Sequence, residues 1–150
     1  MISDMSEKVI GYTAGVFDLF HIGHVNLLRN AKTMCDHLIV TVGTDELVKS
    51  YKNKVPLIPF EQRIEIVRSC KYADTVIPQE DRNFFEAWKK MKFDIMFVGG
   101  DWYGAEEIQT LEKQFKEFGV KIIYLPYTKN ISSTRINKVM GERDQDLEKK

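Results

Sequence analysis

Short apolar runs alternate with longer stretches of helical spacing along most of this 150-residue chain. The apolar runs are 9–17, 38–42, 75–77, 95–98 and 120–125. Between them, 26–34, 60–69, 83–91 and 105–118 carry apolar residues three and four positions apart, as Ile64 and Val67 or Ile66 and Cys70 do. Phe84, Phe85, Trp88 and Met91 fall on one such helical face and read as core. Strands that alternate with helices predict a parallel sheet covered on both faces. The unbroken run Ile95-Met96-Phe97-Val98 suits a strand buried on both sides. The expected architecture is therefore α/β: a Rossmann-like, doubly wound parallel sheet of about five strands in a single domain spanning 1–150. The polar segments 1–8 and 141–150 read as frayed tails. Residues 49–59 have no clean period and hold two prolines, which predicts a mobile loop between a short helix and the next one.

In open sheets of this kind a ligand sits beyond the carboxyl ends of the strands, where the strand order reverses. That rule gathers segments far apart in sequence. The first strand delivers Asp18, His21 and His24; the fourth delivers Gly99-Gly100-Asp101-Trp102; the fifth delivers residues 126–135. In His21-Ile22-Gly23-His24, two of the chain's three histidines flank a glycine where a strand turns into a helix. Free N–H groups and the positive dipole end of a helix suit an anion there, and Gly23 would let a phosphate approach. Two imidazoles can donate hydrogen bonds to phosphate oxygens as charge develops. Ser132, Ser133 and Thr134, followed by Arg135, precede a second apolar helical run, 136–140. One hydroxyl makes a helix cap, whereas three predict a second phosphate cradle. Gly99 and Gly100 allow close backbone approach to a flat ligand. Asp101 suits a base or sugar, or else caps the helix that follows.

Lys49, Lys52 and Lys54 are read in the loop after the second strand, from which one or two could reach a triphosphate. Arg63 opens the next helix beside Glu61 and Gln62, as a phosphate contact or a surface ion pair. Lys71 lies near that helix's end, where it would also suit the dipole. His37 has no partner motif and reads as structural.

Composition narrows the partners. Lys plus Arg and Asp plus Glu are 22 each, so the formal net charge is zero. No basic excess points to nucleic acid or a membrane surface. No apolar run approaches the roughly 20 residues of a membrane span, and the polar start is no signal peptide. Cys35 and Cys70 have no metal-ligand spacing and read as reduced, mostly buried thiols in helical segments of a cytoplasmic protein. There is neither a GxxxxGK[ST] phosphate loop nor a GxGxxG after the first strand.

The run Gly15-Val16-Phe17-Asp18-Leu19-Phe20-His21-Ile22-Gly23-His24 resembles the HxGH signature of the nucleotidyltransferase superfamily. Ile131-Ser132-Ser133-Thr134 resembles its second signature, which reads RTxGIST in cytidylyltransferases. With the lysine-rich segment, Glu61-Gln62-Arg63 and Gly100-Asp101-Trp102, the likeness runs from about residue 9 to 140. It is strongest to the bacterial glycerol-3-phosphate cytidylyltransferases. The resemblance implies that His21 and His24 contact the nucleotide phosphates and stabilise the transition state, with Lys52 and Lys54 reaching the same phosphates. It implies nucleotide binding by Gly15, Val16, Phe17, Asp18, Gly23, Gly99, Asp101, Tyr127, Ser132, Ser133 and Thr134. It puts Arg63 and Lys71 against acceptor or phosphate. It also implies a homodimer, and Mg²⁺ held through the triphosphate rather than by protein ligands.

Two positions depart from the pattern. Tyr127 stands where cytidylyltransferases have Arg, and Asn130 where they have Gly. Asn tolerates a left-handed backbone, so the turn is expected to survive. The missing arginine leaves the base open, because heptose-phosphate adenylyltransferases share the histidine motif. The implied reaction is in-line attack by the phosphate oxygen of a small phosphorylated alcohol on the α-phosphorus of an NTP. The expected substrates are CTP and glycerol 3-phosphate. Transfer of adenylyl or cytidylyl to another phosphorylated sugar, polyol or amino-alcohol stays open, as does a non-catalytic nucleotide-binding module.

Overall fold

The computed structural model describes residues 8–100 and 104–148, with side chains to residue 143. Five parallel strands alternate with helices: β1 (Ile10–Gly15), α1 (Ile22–Thr33), β2 (His37–Gly43), α2 (Asp45–Lys52), α3 (Phe60–Arg68), β3 (Thr75–Gln79), α4 (Phe84–Met91), β4 (Ile95–Gly99), α5 (Glu106–Lys116), β5 (Lys121–Leu125) and α6 (Ser133–Glu148). The sheet order is β3-β2-β1-β4-β5. The chain moves outward from β1 to β3, then returns to pair β4 with β1, Gly11 to Thr13 lying opposite Ile95 to Phe97. The order therefore reverses between β1 and β4, where a ligand crevice is expected.

Each sheet face carries its own core, because alternate residues of a strand point to opposite faces. On β4, Met96 and Val98 join Tyr12 and the α4 and α5 residues Trp88, Ile108, Leu111 and Phe115. Phe97 points the other way, into Leu28 and Ala31 of α1 and Ile64 and Val67 of α3. Phe84 and Trp88 are buried as the helical spacing predicts. The amino end of the sheet is sealed by aspartates that precede strands. Asp36 accepts from Val9 N, Asp94 from Ile10 N and Asp74 from Leu38 N, each at 2.8 Å.

Several boundaries differ from the sequence reading, each for a local reason. β1 stops at Gly15 rather than 17, because Phe17 takes a left-handed backbone (φ 56°). α1 begins at Ile22, four residues earlier than apolar spacing indicates, because a histidine caps it. α2 runs to Lys52 and ends on a left-handed Asn53 (φ 55°), so Lys49 and Lys52 are helical and only Lys54 lies in the loop. The Thr44 hydroxyl, accepting from Leu47 N at 3.1 Å, nucleates that helix. His37 is the first residue of β2 and bonds Thr75 Oγ1 at 2.7 Å. Cys35 and Cys70 fall just past α1 and α3 and are half-buried rather than buried. α6 continues through the charged segment after Gly141 to Glu148.

Candidate active site

The turn after β1 is built around the two imidazoles. His21 is the N-cap of α1, and its Nδ1 accepts from Gly23 N at 3.0 Å. His24 sits one turn on, and its Nδ1 accepts from His21 N at 3.1 Å. The pair forms a reciprocal capping box in which histidine replaces the usual hydroxyl and carboxamide. A ring nitrogen that accepts an N–H carries no proton, so each neutral ring bears its proton on Nε2. The rings stack at 3.9 Å between centroids, and His24 also packs on Phe20 at 5.3 Å and against Phe17 at 5.4 Å. Burial, then the neighbouring His21, pushes His24 down to about 4 against the weaker opposing pull of Asp18. Burial alone lowers His21. Near neutral pH the motif therefore presents two fixed Nε2–H donors and no charge.

Gly23 serves this arrangement. A Cβ there would lie 2.7 Å from His21 Cε1 and 2.9 Å from its Nδ1. The glycine makes room for the capping imidazole itself, where the sequence suggested room for a phosphate. Gly15 likewise leaves space for the Phe17 ring, whose Cε2 would lie 2.8 Å from a Cβ on residue 15.

Two cavities meet at this turn. The first, about 240 Å³, is lined by the β1 end from Thr13 to Phe17, by His21, Gly23 and His24, by Gly99, and by Tyr127, Thr128, Ile131, Ser132 and Ser133. It is the crevice expected between β1 and β4. Asn26 of α1 donates to Thr128 Oγ1 at 2.8 Å and ties the β5–α6 loop to its wall. The second, about 390 Å³, also borders His24. It is lined by Asp18, Lys52, Lys54, Val55 to Leu57, Ser133, Thr134 and Asn137. Val16, Phe17, His24 and Ser133 border both.

The hydroxyl triplet divides its work. Ser132 Oγ caps α6, accepting from Arg135 N at 3.0 Å. Ser133 Oγ donates to the Asp18 carbonyl. Thr134 faces the second cavity. Asn130 holds the left-handed turn before them (φ 66°), as its side chain allows.

Two expected phosphate contacts do not face these cavities. Arg63 is fully buried. Its Nε donates to Ile58 O at 2.8 Å, its Nη1 to Val16 O at 2.7 Å and Gly43 O at 2.8 Å, and its Nη2 to Asp45 at 2.6 Å. Four of the guanidinium's five N–H groups knit the ends of β1 and β2 to the α2–α3 loop, so it is a buried fastening rather than a surface ion pair and lines neither cavity. Lys71 lies between α3 and β3, at the amino end of the sheet, with its Nζ 5.3 Å from the Tyr72 ring. That is the opposite end from both cavities. Asp101 lies outside the described residues. Arg63's carbonyl partner Val16 is 47 residues away and leaves no mark in the local sequence.

The donor set here is N–H, hydroxyl and ammonium. Among the described residues, no group of three or more His, Cys, Asp or Glu is placed to hold a metal ion. Such donors match phosphate oxygens rather than Mg²⁺. No helix of the described residues is long and apolar enough to cross a membrane.

Residues 12–139 match the cytidylyltransferase-like family. The chain is 36% identical over 138 residues to an FAD synthase of Pyrococcus abyssi, covering 90% of this chain and 92% of that protein. It is also 36% identical over 139 residues to a glycerol-3-phosphate cytidylyltransferase of Staphylococcus aureus, covering 92% and 98%. Among solved structures, a lipopolysaccharide core biosynthesis protein of Thermoplasma volcanium superposes with a TM-score of 0.68 at 22% identity, over 83% of this chain and 99% of that one. A pantoate-beta-alanine ligase of Francisella tularensis superposes with a TM-score of 0.64 at 18% identity, over 87% and 66%. These two likenesses show a shared fold.

Proposed function

Since the chain belongs to the cytidylyltransferase-like family, we propose that it transfers a nucleotidyl group, CMP from CTP, to a small phosphorylated alcohol, with glycerol 3-phosphate as the first acceptor to test. The observation that carries this reading is the pair of neutral imidazoles, each with a fixed Nε2–H, lining the first cavity, with His24 also bordering the second.

In this reading the nucleoside occupies the first cavity, against the β1 backbone and Tyr127. The α-phosphate passes His24, and the β- and γ-phosphates lie toward Lys52, Lys54, Thr134 and the start of α6. A phosphate oxygen of the acceptor attacks the α-phosphorus as the bond to pyrophosphate breaks. Such transfer needs positioning and charge stabilisation more than covalent help. His21 and His24 supply donors that do not have to reorganise. With both held neutral, neither is needed as a general acid, and the acceptor phosphate, already ionised, needs no general base. Mg²⁺ enters as the counter-ion of the triphosphate, as part of the substrate.

A second reading, adenylyl transfer to a phosphorylated acceptor, is favoured by the relatives named FAD synthase and by Tyr127 in place of the cytidylyltransferase arginine. One experiment separates the two. Pyrophosphate release is measured with Mg²⁺, crossing CTP, ATP, UTP and GTP against glycerol 3-phosphate, phosphocholine, phosphoethanolamine, several sugar phosphates and FMN. Release with CTP and glycerol 3-phosphate is the expected result. Release only with ATP and FMN establishes the second reading. Tight nucleotide binding without release for any pair points to a binding module and contradicts both.

A further inference from the structure

Asp18 precedes the histidine pair, and both oxygens of its carboxylate are bonded to backbone. Its Oδ2 accepts from Leu57 N at 2.9 Å, and its Oδ1 accepts from Ile58 N at 2.9 Å and Leu19 N at 3.1 Å. Three backbone amides thus occupy both oxygens. Its own carbonyl accepts from Ser133 Oγ. One residue therefore joins three segments: the β1–α1 turn, the α2–α3 loop and the start of α6.

The backbone on either side is costly. Phe17 (φ 56°) and Leu19 (φ 51°) are both left-handed without being glycine. Such conformations persist where the surroundings over-determine them, often at functional sites. The segment they hold begins at Asn53, the left-handed end of α2, and runs through Lys54, Val55 and Pro56 to Leu57. Lys54 lies between that bend and the two amides bound by Asp18. Val55 and Leu57 are more than half exposed, so little packing fixes the segment. Arg63 holds Ile58 O and Val16 O from inside the fold, so the far end of the loop is already anchored. What Asp18 adds is the placement of residues 54–57 over the second cavity.

We propose that Asp18 is a positioning residue, a latch that sets Lys54 over the second cavity by holding Leu57 N and Ile58 N, and that it does not itself contact the nucleotide. This rests on the reading of Lys54 as a triphosphate contact, and the test separates the two ideas.

Four proteins are compared: wild type, D18A, K54A and the double variant. Affinity for CTP and for ATP is measured by calorimetry, and amide hydrogen exchange is followed at Leu57 and Ile58 without ligand. A latch acting through Lys54 predicts that D18A and K54A each weaken triphosphate binding about tenfold, the scale of one charge-assisted contact. The double variant is then no weaker than K54A alone. In D18A the Leu57 and Ile58 amides exchange faster while the melting temperature of the core transition is kept. If the two substitutions multiply, Asp18 touches the nucleotide and the latch is wrong. Unchanged exchange at Leu57 and Ile58 also overturns it. If wild type binds neither triphosphate, the proposed function fails, while the exchange arm still decides the latch. The isosteric D18N, which keeps one acceptor oxygen, gives the same direction with a smaller change and replaces D18A if that protein does not fold.

Discussion

Each site histidine is fixed by what its Nδ1 accepts, and that sets its response to acid. Protonating either Nδ1 would turn it from an acceptor into a second donor facing a backbone N–H, and at His24 would charge a ring packed against Phe17 and Phe20. The folded His24 is pushed down to about 4 from an ordinary 6.5. Between those values the unfolded chain binds a proton that the folded chain refuses, so stability rises with pH across this window. The contribution is fully present above pH 6.5 and is lost as pH falls toward 4, by up to about 3 kcal/mol. Denaturation midpoints of wild type should fall over that range, and those of H24Q should fall less. A midpoint independent of pH there would mean that the ring is not held neutral. At this scale the sequence disclosed which residues cluster but not what they bond. The Ser132 cap was legible because its partner Arg135 N lies three residues on, whereas nothing in the pattern showed that His21 caps α1 or that Gly23 makes room for its ring. The bonds of Asp18 and Arg63 were not legible either, because their partners Ile58 and Val16 are 40 and 47 residues away.

Two helices are aimed at the same place by different caps: α1 by His21 and α6 by Ser132. The turn into α6 rests on Asn130 in a left-handed conformation. Asn130→Gly should leave the melting temperature unchanged or slightly raised, whereas Asn130→Val should cost about 1–2 kcal/mol and weaken nucleotide binding by displacing Ser133 and Thr134. Thermal unfolding with a binding titration checks both. An Asn130→Val protein as stable as wild type would show that the turn does not depend on this residue. Helix and strand identity followed from apolar spacing, which burial enforces over whole elements. Boundaries followed from single capping contacts, so α1 and α2 extend beyond what spacing alone reveals.

Across the molecule, the reversal between β1 and β4 brings the histidine turn, Gly99 and the β5–α6 loop together at the carboxyl end of the sheet. Alternating runs made this architecture legible, because only parallel strands with crossover helices bury them all. Arg63 is the fastening that periodicity could not reveal. Arg63→Met should lower stability by at least about 3 kcal/mol, because buried carbonyls and Asp45 lose their donor. A substitution that weakened nucleotide binding at unchanged stability would instead return Arg63 to the substrate. The proposed mechanism stands on two neutral imidazoles that stabilise a direct displacement at phosphorus. The decisive experiment is the initial rate of pyrophosphate release by H21A and H24A, with the nucleotide and acceptor that wild type prefers, in proteins shown by circular dichroism to be folded. Turnover should drop by about two orders of magnitude or more in each. Near-wild-type turnover in both would contradict the mechanism.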